Sequence, residues 1–276
     1  MKSRNYSKKL RQKGFIYAFL VVLMSIPAIN HAQNANFLID DFRHVLKVGA
    51  ALCTAPLDFD RHTWGQVGLT ALSTAALFAI DKDIKAFALH NQSAVGDGIF
   101  RIDNFYGNEY SLVFCGGIYG LGVVSGQTGL RRTGLKTSEA FFFSGAVTGL
   151  FKGLFGRRRP YGGESQLVFR PLHISGNTYH SLPSGHATVS FAIATVMAHS
   201  YDNPIWRWGW YSSAGLVAGA RIYHNKHWLS DVVLGGIIGY SVGKFVADYD
   251  ENKPAKTLPL IFHMTPTGAG VTIRID

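Results

Sequence analysis

The sequence predicts an all-α fold, in which about six helices form a bundle that is membrane-embedded or membrane-associated and ends in a short β-hairpin. Composition is the first reason. Of the 276 residues, 47% are hydrophobic and 16% are charged, whereas ordinary globular chains carry about 25% charged residues. The second reason is that apolar segments of 15–21 residues recur along the chain, and such segments are too long for strands. The third is that these segments are rich in glycine and alanine, which allow helices to pack closely.

Residues 1–32 are predicted to be a signal peptide or a retained N-terminal membrane anchor. Residues 1–13 carry six lysines and arginines and no acid, residues 14–28 form an apolar run, and small residues precede a cleavage site after Ala32. In both cases the basic end stays in the cytoplasm and the following chain leaves it. These six cations account for most of the formal charge of +10, so the charge gives little support for a nucleic-acid partner, and we expect none.

The remaining chain divides into a lead segment, residues 33–63, a helical domain, residues 64–250, and a C-terminal tail, residues 251–276. The six helices of the domain are predicted at 64–81, 109–127, 138–155, 186–201, 207–222 and 228–247. Residues 82–108 mix charged and apolar positions, as short amphipathic helices with a loop do, and residues 161–183 read as a polar loop. The tail reads as two short strands around a Thr-Gly-Ala-Gly turn.

Seven glycines in the predicted helices are expected to allow close contacts between helices. They are Gly145, Gly149, Gly215, Gly219, Gly235, Gly236 and Gly239. Only about half of the six helices reach the ~18 apolar residues that a bilayer crossing requires. The number of crossings, and the side of the membrane that the polar loops face, therefore stay open.

The first patch of residues able to carry chemistry lies at the end of the third predicted helix. Lys152 and Arg159 are seven residues apart, so both can project from one face of a helix, which Pro160 then ends. Two fixed cations at a helix end suit a phosphoryl group, because arginine offers a bidentate fork to its oxygens. The alternative is that Arg157, Arg158 and Arg159 are the basic flank of a membrane helix.

The second patch is Ser184–Gly185–His186, which leads directly into an apolar helix. Ser184 is a favourable N-cap residue, Gly185 lets a ligand approach the main chain, and free N–H groups at a helix start bind anions. His186, in the first turn, can donate a proton to a leaving oxygen. The alternative is a capped helix with an incidental histidine.

The third patch contains Arg221, His227 and Asp231. His227 and Asp231 are four residues apart, so the carboxylate can hold one imidazole nitrogen and leave the other free to attack. His224, His227 and Asp231 also have a spacing that suits metal ligands. The nearby cations Arg221 and Lys226 argue against holding a metal ion there, and we expect none. A polar loop beside a helix is the remaining alternative.

The three patches follow one another as Lys-x6-Arg-Pro, Pro-Ser-Gly-His and Arg-x5-His-x3-Asp, each at a helix boundary. In this combination the sequence resembles the type 2 phosphatidic acid phosphatase (PAP2) family, whose fold is shared with vanadium haloperoxidases and bacterial acid phosphatases. The resemblance covers roughly residues 64–247. It departs at one position, because the third motif of the family usually begins Ser-Arg, whereas Ala220 precedes Arg221 here. The departure puts phosphate affinity slightly in doubt, but not the reaction.

The resemblance implies a role for each of these residues. His227 would be the nucleophile that forms a phosphohistidine, Asp231 would orient it, and His186 would be the general acid and then the base that activates water. The residues that would bind the phosphate are Lys152, Arg159, Ser184, Gly185 and Arg221. The resemblance implies no metal and no other cofactor.

The function implied is that of a phosphatase in a membrane of the bacterial cell envelope, with its active site facing the periplasm, that removes a phosphate from a membrane lipid. Phosphatidic acid, phosphatidylglycerol phosphate, undecaprenyl diphosphate and lipid A are the substrates considered. A periplasmic acid phosphatase for soluble esters is the alternative, followed by a vanadium haloperoxidase and a non-enzymatic membrane protein of the same fold. The sequence leaves the substrate and the oligomeric state open.

Overall fold

The computed structural model describes residues 31–163, 165–173 and 176–249 and the strand residues 260–265 and 268–273. The predicted signal or anchor segment therefore lies outside the described residues, except for its last two positions. The chain divides into two compact units, residues 1–44 and residues 45–276. The described part of the first unit is helical and carries an exposed ion pair between Arg43 and Asp40, at 3.3 Å.

The part of the chain that the structure describes forms nine α-helices and two strands. The helices are α1 His31–Thr54, α2 Arg61–Leu77, α3 Asp81–His90, α4 Ala94–Ile99, α5 Tyr110–Val124, α6 Thr128–Phe155, α7 Gly185–Ser200, α8 Pro204–Tyr223 and α9 Leu229–Asp248. The strands β1 Leu260–Thr265 and β2 Gly268–Ile273 pair antiparallel, with Leu260 opposite Ile273 and Thr265 opposite Gly268. Short 3₁₀ helices lie at Ala55–Asp58, Phe100–Asn104, Pro160–Gly162 and Asn177–Tyr179.

The predicted number of about six helices is wrong, although each of the six predicted segments is helical, as α2 and α5 to α9. The three additional helices are α1, in the lead segment, and α3 and α4, in the mixed segment 82–108. Helices α3 and α4 have 10 and 6 residues, and a side-chain cap helps to define α4, since Ser93 Oγ accepts from the Gly96 N–H. Helices of 10 and 6 residues are too short to contain the long apolar segments from which the six helices were predicted.

Helix α7 forms the centre of the second unit. Eleven of its 16 residues are buried, and α6, α8 and α9 all pack against it. The largest cluster of buried apolar residues joins α1, α6, α7 and α9 and contains Val48, Ala140, Ala192, Val196, Val242 and Val246. This packing fixes the positions of the helix ends relative to one another. The end of the bundle where α6 and α8 end and α7 and α9 begin carries the polar residues of the candidate site.

Glycine determines how closely α9 approaches α7. A Cβ on Gly235 would lie 2.6 Å from the Ser184 carbonyl oxygen, and a Cβ on Gly239 would overlap the carbonyl oxygen of Thr188. Gly219 and Gly236 likewise face the rings of Phe100 and Phe191. The expectation of close contacts is wrong for Gly145, Gly149 and Gly215, where a Cβ would meet nothing within 4 Å. Glycine content alone does not distinguish a glycine that faces a neighbouring helix from one that faces outward.

Within the described residues, one helix, α9, is long and apolar enough to cross a membrane. The pair α2 and α3, which is bent by 55°, passes the same test as a single broken span. Large apolar side chains are also exposed around the bundle, with Leu72, Leu121, Leu150 and Trp208 all more than 60% accessible.

Candidate active site

The three sequence patches meet at one end of the bundle. Helices α6 and α8 end there, while α7 and α9 begin there. Main-chain hydrogen bonds connect the patches, because the Ser184 N–H donates to the Asp231 carbonyl at 2.9 Å and the Ser181 N–H donates to the Arg157 carbonyl at 3.0 Å. All eight site residues singled out in the sequence therefore come from segments that converge on this end.

His227 lies just before α9, and Asp231 lies in the first turn of that helix. The imidazole Nδ1 is 3.5 Å from Asp231 Oδ2, longer than an ordinary hydrogen bond. That oxygen already accepts the Trp228 N–H at 2.9 Å and the Ser181 hydroxyl at 2.5 Å. Nδ1 faces the carboxylate, so Nε2 is the ring nitrogen on the side away from Asp231.

The pKa of His227 lies well below its ordinary value. Burial of the imidazole is the main cause, and the positive charges of Arg159, Lys152 and Arg221 add to it. His227 is therefore neutral over the physiological pH range, and a neutral imidazole is the nucleophilic form.

Lys152 and Arg159 do not share a helix face. Helix α6 ends at Phe155, and Gly156 follows in the left-handed region, with φ 56°, where a Cβ would overlap the Arg170 carbonyl. Arg159 therefore lies beyond the helix, so the prediction from a spacing of seven residues is wrong in its geometry. The two cations are nevertheless neighbours. Burial first, and then the charges of Arg159 and Arg221, lower the pKa of Lys152 to about 8.

Asp103, from the 3₁₀ helix after α4, holds Arg221 in place. Its Oδ2 accepts from Arg221 Nη1 at 2.7 Å and lies 3.1 Å from His224 Nδ1. The Nε atoms of Arg221 and Arg159 are buried and have no hydrogen-bond partner among the described residues. Sequence reasoning missed Asp103, because its partner Arg221 is 118 residues away and no local pattern connects them.

The metal-ligand spacing of His224, His227 and Asp231 does not produce a cluster of ligands. His224 is directed to Asp103, and both oxygens of Asp231 accept hydrogen bonds from protein donors. Among the described residues, no group of three His, Cys, Asp or Glu side chains could hold a metal ion.

Ser184 takes the N-cap position of α7, as expected, but its side chain does not cap the helix. Its Oγ is buried without a hydrogen-bond partner in the described part of the chain, so the hydroxyl stays available to an anion. At Gly185, a Cβ would lie 3.3 Å from Lys152 Nζ, which shows how close this cation comes to the helix start. Burial, followed by the positive charge of Arg221, lowers the pKa of His186 to about 3.

Arg157 is fully buried, and it is not part of a basic membrane flank. Its Nη1 donates to Asp231 Oδ1 at 2.7 Å and to Ser230 Oγ at 2.6 Å, and its Nη2 donates to Asp81 Oδ2 at 2.7 Å. The guanidinium stacks 4.2 Å from the ring centre of Phe78. Asp81, at the start of α3, also accepts the Ser230 N–H at 3.0 Å. Neither role could be found from the sequence, because the side chains that hydrogen-bond to these two residues are 73 or more positions away.

The sequence model of the PAP2 superfamily matches residues 134–254 of this chain. This match confirms the resemblance found in the sequence for this part of the chain. A lipid A 1-phosphatase of Porphyromonas gingivalis is 38% identical over 81 residues, covering 28% of this chain and 18% of the relative. A lipid A 4'-phosphatase of the same organism is 30% identical over 123 residues, covering 40% and 52%. The chain thus spans about a fifth and about half of these relatives.

Two solved structures are also similar, each 20% identical in sequence. One is Aquifex aeolicus LpxE, with a TM-score of 0.45, covering 60% of this chain and 94% of that one. The other is a transmembrane PAP2 type phosphatidylglycerolphosphate phosphatase from Bacillus subtilis, with a TM-score of 0.46, covering 75% and 92%.

Proposed function

We propose that this chain, which matches the PAP2 superfamily over residues 134–254, is a phosphatase of the bacterial cell envelope that removes a phosphate from a membrane lipid. The reaction would need no metal ion and would pass through a phosphohistidine on His227. One observation carries the proposal: a neutral, buried imidazole faces a buried carboxylate and is surrounded by three cations from three segments of the chain. Phosphoryl transfer requires mainly such positioning and charge stabilisation.

In the first step the phosphoryl oxygens lie among Lys152, Arg159 and Arg221. His227 Nε2 attacks phosphorus, the bond from phosphorus to the leaving oxygen breaks, and the electron pair leaves with that oxygen. His186 donates the proton that the leaving oxygen takes up. The positive charge that develops on the His227 ring is offset by Asp231, and their 3.5 Å separation would shorten as this charge appears.

In the second step the neutral His186 accepts a proton from water, whose oxygen attacks phosphorus. The bond between phosphorus and nitrogen breaks, its electron pair returns to His227, and inorganic phosphate leaves. The low pKa of His186 keeps this side chain neutral at pH 7. A bound phosphate dianion offsets the cations that help to lower this pKa, and so favours the protonated form that the first step requires.

A lipid substrate is supported by the two curated relatives, both named as lipid A phosphatases, and by the apolar side chains exposed around the bundle. The sequence of residues 1–32, which suits export, supports an active site that faces the periplasm. A soluble phosphate ester is the second candidate substrate. It is favoured by the finding that a single unbroken helix of the described residues is long and apolar enough to span a bilayer.

The test is phosphate release by the purified full-length chain, in detergent and with chelator. The substrate panel is lipid A, phosphatidic acid, phosphatidylglycerol phosphate, undecaprenyl diphosphate and a soluble aryl phosphate. We expect release from at least one lipid at a rate above that from the aryl phosphate. His227→Ala should abolish release, whereas His62→Ala, at an exposed histidine in the first turn of α2, should retain it.

Two results would contradict the proposal. Equal or faster release from the aryl phosphate would favour a general periplasmic phosphatase. Activity that persists in His227→Ala would exclude His227 as the nucleophile.

A further inference from the structure

A network of buried charged side chains lies next to His227 and contains two carboxylates but only one cation. Two carboxylates, Asp81 and Asp231, share one guanidinium, that of Arg157, and all three side chains have no exposed surface. Replacing buried charges by apolar groups is often neutral or stabilising, so burial of three charges is weak evidence for a role in stability alone. The position of the network, in direct contact with the partner of the proposed nucleophile, suggests another role.

The hydrogen bonds define the charge of the network. Asp81 accepts from Arg157 Nη2 at 2.7 Å, from the Ser230 N–H at 3.0 Å and from the Ser230 hydroxyl at 2.6 Å. Asp231 accepts from Arg157, Ser181 and the Trp228 N–H. Every contact supplies a proton from the partner, as expected for two ionised carboxylates around one guanidinium. The trio then carries one net negative charge.

We propose that Asp81 is a positioning residue for the proposed phosphatase and acts through Arg157. By occupying Nη2, Asp81 fixes the guanidinium whose Nη1 holds Asp231 Oδ1, which leaves Asp231 Oδ2 directed toward His227. By its charge, Asp81 compensates Arg157, so that Asp231 still acts on the imidazole as a net negative group. This inference rests on the proposed function and deepens it.

The charged and titratable groups that face His227 determine whether loss of the Asp81 charge raises or lowers the basicity of the imidazole. They are Lys152 from α6, Arg159 from the following loop, His186 from α7, Arg221 from α8 and Asp231 from α9. Three of these groups are cations that make the imidazole less basic, and Asp231 opposes them. Without the charge of Asp81, Arg157 would cancel the charge of Asp231, and His227 would become a weaker nucleophile and a better leaving group.

The variant that tests the proposal is Asp81→Asn, and the matched control is Asp83→Asn. Asp83 lies two residues further along α3 and is exposed, so its replacement removes the same charge without touching the network. Both proteins are compared with wild type by kcat per functional site, KM and the steady-state fraction of phosphohistidine. Functional sites are counted by binding of vanadate, a phosphate analogue.

We expect kcat per site in Asp81→Asn to fall by about tenfold or more, comparable to the loss of groups that orient a ligating histidine, while KM changes by less than about threefold. The phosphohistidine fraction should also fall, because formation slows and breakdown does not. Asp83→Asn should stay within about twofold of wild type in all three quantities. If Asp81→Asn behaves as Asp83→Asn does, or if KM rises while the phosphohistidine fraction is unchanged, the proposal is overturned.

A second variant keeps the test decisive if Asp81→Asn does not fold. Ser230→Ala removes the hydroxyl that contacts both Asp81 Oδ2 and Arg157 Nη1, at 2.6 Å each, and changes no charge. We expect kcat per site to fall by about threefold, close to the loss of one modest hydrogen bond, and the phosphohistidine fraction to fall less than in Asp81→Asn. An unchanged kcat would overturn the proposal, and so would a rise in the phosphohistidine fraction. If wild type releases no phosphate from any substrate of the panel, the proposed function fails instead.

Discussion

The guanidinium of Arg221 is held by the carboxylate of Asp103, with Nη1 at 2.7 Å from Oδ2. The bond joins the C-terminal end of α8 to the 3₁₀ helix Phe100–Asn104 and leaves Arg221 Nε buried without a hydrogen-bond partner among the described residues. A guanidinium with one edge fixed and another edge free is preorganised for an anion. The 3₁₀ helix Phe100–Asn104 therefore contributes to the proposed phosphate site by holding Arg221 in place.

Replacing Asp103 tests this arrangement. In Asp103→Ala the Arg221 side chain loses its charged hydrogen bond, worth about 1.5–3 kcal/mol, and we expect kcat/KM to fall by about tenfold or more. Steady-state kinetics on the best substrate of the panel give the value. Asp202→Ala is the control, since that carboxylate pairs with Arg207 in the first turn of the same helix and is exposed. An undiminished kcat/KM in Asp103→Ala would show that Arg221 needs no support.

Replacing Asp231 should affect the chemical step most strongly. Asp231→Asn keeps the size of the side chain but removes the charge opposite His227, and we expect kcat to fall by about 10³–10⁴-fold, as in serine protease triads whose aspartate is replaced by asparagine. Formation of phosphohistidine in a single turnover is the direct measurement. Asp248→Asn, which alters the Lys244 ion pair in the last turn of the same helix, serves as the control. A rise in KM at constant kcat would contradict the assigned role.

The pKa of Lys152 predicts the alkaline limit of activity. With a pKa of about 8, Lys152 is charged below that pH and neutral above it, so kcat/KM should fall as pH rises through this value. In Lys152→Arg this fall in kcat/KM should occur at higher pH, because arginine keeps its charge. Lys82→Arg, at an exposed lysine on α3, should leave the pH of the fall unchanged. A pH profile that is the same for all three proteins would exclude Lys152 as its source.

Two glycine replacements separate close packing from helix propensity. Gly239→Ala introduces a methyl group against the Thr188 carbonyl, and we expect it to destabilise the protein by about 1–3 kcal/mol, the usual cost of overpacking. Gly145→Ala meets nothing within 4 Å and should be neutral or stabilising by up to about 1 kcal/mol, since alanine favours the helix. Thermal unfolding in the same detergent measures both. Equal melting temperatures would contradict the packing described for α7 and α9.

The local part of the site could be predicted from the sequence, because its partners are close along the chain. His227 and Asp231 are four residues apart, and the position of Ser184 at the start of α7 follows from its place before an apolar helix. The relation of Lys152 to Arg159 was predicted incorrectly, since the left-handed Gly156 ends α6 earlier than Pro160 would.

The groups that support the site could not be predicted in this way. Asp81, Asp103 and Arg157 acquire their positions only when the helices pack, and each of these charges is held by a partner 70 or more positions away. In the sequence, Arg157 is one of three consecutive arginines, and nothing in that run indicates that it is buried while Arg158 and Arg159 are partly exposed. Tertiary packing, not local pattern, distinguishes them.

The Asp231 carboxylate also accepts the Trp228 N–H and so completes the cap at the start of α9. The cap stabilises the helix whether or not the protein is catalytic, so selection for folding could preserve this carboxylate in a relative that had lost catalysis. The presence of an aspartate here is consequently a poor indicator of activity when genomes are surveyed. Lys152 and His186 lie outside this cap, so under the proposed function their retention would be the more informative sign of activity in a relative.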